Sequence, residues 1–106
     1  YNRISPRAAV LLLRWIDDQP WGAAWHASLP VAGKDGTLRR RFIGTPLEGR
    51  LMAKTGTLNA TNTLSGTFTT RSGRRFTFAF LANDVPNGAS VLWLMDAVLV
   101  RIAMAN

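Results

Sequence analysis

Apolar and polar positions recur at two different periods along this chain, and the change of period divides it into elements. From Pro6 onward Ala8, Leu12, Trp15 and Ile16 recur at helical spacing, with Leu11 and Leu13 widening the stripe. Ser5 is a good helix N-cap, and Pro6 suits the first helical position, where a missing N–H costs nothing. The pattern therefore predicts a helix over residues 6 to about 18, stopped by Pro20. Residues 21–29 can form a second short helix, closed by Leu29-Pro30. Ala32-Gly33-Lys34-Asp35-Gly36-Thr37 is dense in turn formers and reads as an ordered loop, followed by the basic run Arg39-Arg40-Arg41 and a second loop over residues 44–49.

Beyond residue 50 the period shortens to two. Residues 51–58 read as a short strand, and residues 63–70 and 75–82 as the arms of a hairpin around Arg71-Ser72-Gly73-Arg74. Leu64, Gly66 and Phe68 share one face of the first arm. In the second arm Phe76, Phe78 and Phe80 share one face, while Ala79 and Leu81 share the other. Both faces of that arm are apolar, so cover is expected on both sides. Val91, Leu94, Met95, Val98 and Ile102 then predict a closing helix from about residue 90 to 104, with Asp96 and Arg101 off its apolar stripe. Helix, loops, three antiparallel strands and helix make an α+β unit. The sequence shows no internal repeat, low-complexity tract or domain boundary.

Length and composition narrow the possibilities. A chain of 106 residues, 47% hydrophobic, is enough for one small domain. Thirteen Lys and Arg against six Asp and Glu give a net charge of +7, and Arg supplies eleven of the thirteen cations, which favours an acidic partner without choosing one. With no cysteine, a disulfide framework, a zinc-thiolate site and a thiol nucleophile are excluded, and a single histidine excludes a multi-His metal cage. No apolar run approaches the length of a membrane-spanning helix. The amino end carries neither an initiator Met nor a secretion signal, so the sequence reads as a fragment of something longer.

The most informative stretch is Lys54-Thr55-Gly56-Thr57, directly after the apolar Leu51-Met52-Ala53. On a strand facing a pocket, such a segment supplies an ammonium, a hydroxyl donor and a residue without a side chain that lets a substrate backbone approach. That combination suits a peptide carboxylate. With a period of two, Lys54 and Gly56 share one face and Thr55 and Thr57 the other, so strand twist and an edge position are needed for the Thr55 hydroxyl to reach a cleft.

Read as a whole, the chain resembles the carboxyl-terminal part of the D-alanyl-D-alanine carboxypeptidase/endopeptidase family of low-molecular-weight penicillin-binding proteins, the penicillin-binding protein 4 type. The resemblance rests on Ile4-Ser5-Pro6, the loop from Leu29-Pro30-Val31-Ala32-Gly33 to Lys34-Asp35-Gly36-Thr37-Leu38, Arg41, Gly49-Arg50, Ala53-Lys54-Thr55-Gly56-Thr57-Leu58, Leu64-Ser65-Gly66 and Phe80-Leu81-Ala82-Asn83. The Gly-x-Asp-Gly-Thr-Leu loop followed at a distance by the Lys-Thr-Gly-Thr strand is far more specific than either piece. The resemblance implies the α+β fold of a penicillin-binding/serine β-lactamase-like transpeptidase domain, of which residues 1–106 form a single C-terminal fragment. It implies that Lys54 helps hold the proton network and the substrate carboxylate, that Thr55 hydrogen-bonds that carboxylate, and that the Thr57 backbone N–H is one of two oxyanion-hole donors.

The same family attacks its substrate with a serine in Ser-x-x-Lys and completes the relay with Ser-x-Asn. Ser5, Ser28, Ser65, Ser72 and Ser90 are followed three positions on by Ala8, Val31, Phe68, Arg75 and Trp93, so this chain carries no Ser-x-x-Lys and is expected to be inactive alone. Asn2 falls where the asparagine of Ser-x-Asn belongs if a serine precedes Tyr1. The polar run Asn59-Ala60-Thr61-Asn62-Thr63 departs from the family's pattern in the turn after the Lys-Thr-Gly strand. The implied partners are peptidoglycan stem peptides, β-lactams and the missing N-terminal part of the same protein. The implied location is the periplasm or cell envelope, with no metal or organic cofactor.

Other signals read more plainly. Residues 44–51 imitate a phosphate loop, but Arg50 and Leu51 stand where Lys and Ser/Thr are required. His26 has no second ligand at a recognisable spacing and reads as a packing or surface residue, and no Ser-His-Asp triad follows from its nearness in sequence to Ser28, Asp17 and Asp18. Asn59-Ala60-Thr61 spells a glycosylation sequon and reads as an ordinary turn. Arg39, Arg40, Arg41, Arg71, Arg74 and Arg75 support an alternative reading as a basic nucleic-acid-binding module, but the phenylalanines alternate as a core face should and not as an exposed stacking platform. A non-catalytic wall-binding module is the other alternative.

Overall fold

A computed structural model describes residues 5–58, 61–82 and 88–106. Helix α1 spans Pro6–Asp17 and is capped as the sequence predicts, the Ser5 hydroxyl accepting the Ala8 N–H at 3.0 Å. A short α2, Gly22–Ala27, follows, then a single 3-10 turn, Gly36–Leu38. Strands β1 (Leu51–Leu58), β2 (Thr61–Thr69) and β3 (Arg75–Ala82) form an antiparallel sheet in the order β1-β2-β3, and α3 (Gly88–Ala105) ends the chain's architecture. The α+β fold class is therefore as the sequence implies. Strand β2 begins two residues earlier and ends one earlier than its apolar alternation suggests, because Thr61 and Asn62 already pair with Leu58 and Thr57.

The register places Leu51 opposite Phe68, Phe68 opposite Phe76, Gly66 opposite Phe78, and Leu64 opposite Phe80, which brings the apolar positions of all three strands onto one face. Phe68 stacks on Phe76 with ring centroids 5.1 Å apart. Met95, Leu99 and Ala103 of α3 cover this face together with Ala32, Leu38, Phe42 and Leu47 from the long connection between α2 and β1. Gly66 lies at the centre of this face, where a Cβ would stand 2.1 Å from the Met52 carbonyl oxygen, so the close approach of β1 and β2 excludes any side chain there. On the other face α1 packs against β3 and reaches β2, burying Leu13 and Ile16. Arg75 and Thr77, which alternate with the phenylalanines, accordingly line a cavity with Trp15 and Asp17, and Arg75 donates to the Asp17 carboxylate.

Both helices bury only part of the faces predicted from their spacing. In α1 the predicted stripe of Ala8, Leu12, Trp15 and Ile16, widened by Leu11 and Leu13, is split: Leu13 and Ile16 are buried, while Leu11, Leu12 and Trp15 are 56%, 49% and 54% exposed. In α3 the buried line is Met95, Leu99 and Ala103, while Leu94, Val98 and Ile102 of the predicted stripe are exposed and only Val91 and Met95 of it meet the core. The physical reason is shared. Leu11-Leu12-Leu13 spans more than half of a helical wheel, and residues 91–95 and 97–100 are apolar throughout, so spacing alone excludes no face and the sheet decides which one is buried.

Candidate functional site on the free edge of β1

Strand β1 is the edge of the sheet, and the two halves of its outer side are treated differently. The segment before the Gly-x-Asp-Gly-Thr-Leu loop pairs with the first half: Ala32 N–H donates to the Leu51 carbonyl at 2.8 Å, Ala53 N–H donates to the Pro30 carbonyl at 3.1 Å, and Val31 bridges Met52. Odd-numbered residues of β1 thus turn their backbone groups away from β2. The alternation of an antiparallel ladder extends this to Thr55 and Thr57, whose N–H and C=O groups face the same outer edge beyond the point where the covering segment stops. Among the described residues no strand pairs with that second half.

The side chains follow from the same alternation. Lys54 is exposed, on the face away from α3, and its Nζ donates to the Thr55 carbonyl at 2.7 Å. Thr55 is half-buried at the rim of the core face that Leu51 and Ala53 occupy, and its hydroxyl donates to Thr37 Oγ1 at 3.0 Å. At Gly56 the space a Cβ would fill is taken within the sheet by Thr63 Oγ1, 2.6 Å from that position. The backbone of Thr57 pairs in register with Asn62. Asn2 lies outside the described residues, as do Asn59 and Ala60.

Thr37 is the contact that reading the sequence did not assign. It sits in the 3-10 turn between Gly36 and the fully buried Leu38. Gly36 has φ +58°, which favours glycine, and a Cβ there would sit tightly, 3.0 Å from Pro30 Cγ. The turn is braced by Gly33 N–H donating to the Leu38 carbonyl at 2.9 Å, and by Val31 N–H donating to the Asp35 carboxylate at 2.7 Å. The signal that could have found Thr37 was the loop motif itself, whose Thr-Leu pair puts one residue in the core and its neighbour beside the strand.

Other polar groups pair away from this edge. Arg41 makes a two-pronged ion pair with Asp96 of α3, at 3.0 and 2.5 Å, tying the long connection to the helix. His26, 7% exposed, bonds the Asp17 carboxylate through Nε2 at 2.5 Å, and Arg75 reaches the same oxygen at 3.0 Å. His26 Nδ1 is buried with no partner among the described residues. Ser28 takes no part, since its hydroxyl donates to the Trp25 carbonyl at 2.6 Å. A cavity of about 450 Å³ lies beside Arg14, Trp15, Asp17, Asp18, Arg75 and Thr77, and Lys54 and Thr55 do not line it. Among the described residues no three His, Asp or Glu gather as a metal site, and no helix is long and apolar enough to cross a membrane.

Comparison with known proteins shows which family the chain is related to. The chain is 38% identical over 96% of its length to a D-alanyl-D-alanine carboxypeptidase of Actinomadura sp. (strain R39), and 46% identical over 95% to a carboxypeptidase of Mycobacterium tuberculosis. It spans 20% and 23% of those two proteins, about a fifth of their length. Among solved structures it is similar to penicillin-binding protein 4 from Haemophilus influenzae, 28% identical with a TM-score of 0.72 over 79% of this chain and 19% of that one. The same protein in complex with a β-lactam matches with a TM-score of 0.74. The helix, three antiparallel strands and final helix correspond to the C-terminal part of that protein. A family model, D-Ala-D-Ala carboxypeptidase 3 (S13), matches residues 1–104, and the chain belongs to that family.

Proposed function

We propose that this chain supplies the strand-borne wall of the catalytic cleft in a serine-type D-Ala-D-Ala carboxypeptidase/endopeptidase that acts on peptidoglycan stem peptides through an acyl-enzyme. The observation that carries the reading is the position of Lys54–Thr57 on the uncovered half of an edge strand, with the Thr55 and Thr57 backbone groups turned outward. An extended peptide can pair with such an edge as an added strand, which holds its backbone in register before any chemistry begins.

In this reading Lys54, exposed at the edge, contributes positive charge to the proton network and the substrate's terminal carboxylate. Thr55 donates its hydroxyl to that carboxylate. The outward Thr57 N–H polarises the scissile carbonyl and holds the oxyanion as the tetrahedral intermediate forms. Asn2 is assigned to the Ser-x-Asn element. The attacking serine of Ser-x-x-Lys belongs to the rest of a longer polypeptide, in line with a chain that covers about a fifth of its relatives. β-lactams occupy the same edge as substrate mimics, the enzyme works in the periplasm or cell envelope, and neither metal nor organic cofactor takes part. Weighing against a nucleic-acid module, Arg41 and Arg75 are engaged by Asp96 and Asp17, and Arg74 lies 5.2 Å over the Phe76 ring.

The test is Lys54→Ala in the full-length protein. The rate of acylation by a β-lactam is expected to fall about 100-fold or more, the scale of a lost proton-transfer or charge-stabilising group. Acylation at the wild-type rate removes the assigned role.

A further inference from the structure

We infer that Thr37 is a positioning residue for the substrate carboxylate, acting through the hydroxyl of Thr55. The inference rests on the reading of Lys54–Thr57 as the substrate-binding edge and adds to it a residue from a different segment of the chain. Its foundation is the 3.0 Å contact between Thr55 Oγ1 and Thr37 Oγ1, made across 18 residues of sequence.

A threonine hydroxyl carries one proton. While Thr55 donates to Thr37, that proton is not available to an incoming carboxylate. Rotation of the two hydroxyl hydrogens reverses the bond without moving a heavy atom. Thr37 then donates to Thr55 Oγ1, and Thr55 turns its proton toward the ligand. A carboxylate at the edge favours this direction by attracting the Thr55 proton, and the bond received from Thr37 polarises Thr55 into a stronger donor. Without Thr37, the Thr55 side chain is held by its backbone rotamer preference alone.

Thr37 is exposed, and the chain on either side of it is fixed by the fold. Leu38 is fully buried on one side of it, and Gly36 on the other holds a φ of +58° that other residues rarely adopt. The loop that carries both is joined to β1 by the Ala32–Leu51 and Ala53–Pro30 backbone bonds immediately before Lys54. Thr37 is therefore placed relative to Thr55 by the fold, so its hydroxyl loses little freedom when the ligand arrives.

The experiment compares Thr37→Val, Thr37→Ser, Thr55→Val and the double Val variant of the full-length protein, with folding checked by thermal unfolding. The rate constant of acylation is read for benzylpenicillin and for its methyl ester, which lacks the carboxylate charge. Thr37→Val is expected to slow acylation by benzylpenicillin about tenfold, the scale of one weakened bond to a charged group. Thr37→Ser is expected to restore the rate, the ester is expected to show no comparable loss, and Thr37→Val is expected to add nothing on a Thr55→Val background. An equal loss for acid and ester, or a full rate in Thr37→Val while Thr55→Val is impaired, overturns the positioning role and leaves the edge reading standing. A full rate in Thr55→Val overturns the edge reading at that residue and the positioning role with it.

Discussion

Residues 51–53 and residues 54–57 lie on one strand and share one pairing register with β2, yet their outer sides differ. In the first half, Leu51 and Ala53 are fully buried, and the 30–32 segment closes the strand's edge with backbone hydrogen bonds. In the second half no described residue covers the edge, Lys54 is exposed, and Thr55 ends the core face at a polar contact with Thr37. An unpaired edge is ordinarily a hazard that proteins blunt, often with a lysine. Here the uncovered stretch is short, carries that lysine, and begins where the covering loop turns away, which is what a strand needs if it is to be held firmly at one end and receive a peptide at the other. In the proposed reading, stability and binding are divided along the strand and not between separate layers.

That division can be broken by comparing the stability of variants on either side of it. Phe78→Ala removes a ring packed between Phe68 and Phe80 on the face that the covered half of β1 shares. It is expected to lower unfolding free energy by about 3–5 kcal/mol in chemical denaturation. Asp96→Ala leaves the Arg41 guanidinium without its partner at a site where the two side chains are 16% and 22% exposed, which loosens the connection that carries the covering loop. Its expected cost is about 1–3 kcal/mol, below that of a fully buried pair because solvent still reaches both groups. Lys54→Ala, on the open half, is expected to change stability by no more than about 0.5 kcal/mol, measured by the same denaturation. A Lys54 variant as unstable as the Phe78 variant erases the comparison, because it makes Lys54 part of the scaffold.

How far the sequence foretells this arrangement depends on the element. Alternation in β1 and β3 was legible because a period of two leaves one choice of face, and the phenylalanines made that choice: Phe76 and Phe78 do line up with Phe68 on the buried side. Helix faces were not legible. Leu11-Leu12-Leu13 and the apolar stretch around Leu94 contain no polar residue to mark an outside, so only the sheet's position reveals that Leu13 and Leu99 turn inward.

The candidate site divides in the same way. The strand carrying Lys54–Thr57 follows from composition and local order, and its edge position follows once the hairpin is recognised. The partnership of Thr55 with Thr37, and of Arg41 with Asp96, depends on pairing segments 18 and 55 residues apart, which no local pattern encodes. His26 gives the intermediate case. Its contact with Asp17 follows from the turn between α1 and α2, while Ser28, just as near in sequence, is drawn to the Trp25 carbonyl instead.

The most direct measurement of the central claim is a crystal structure of the full-length protein acylated by a β-lactam. The account predicts the ligand's carboxylate within hydrogen-bond distance of Thr55 Oγ1, and its former lactam carbonyl oxygen at the Thr57 N–H along the uncovered half of β1. A covalently bound β-lactam held away from that edge, with Thr55 and Thr57 touching only solvent, contradicts it.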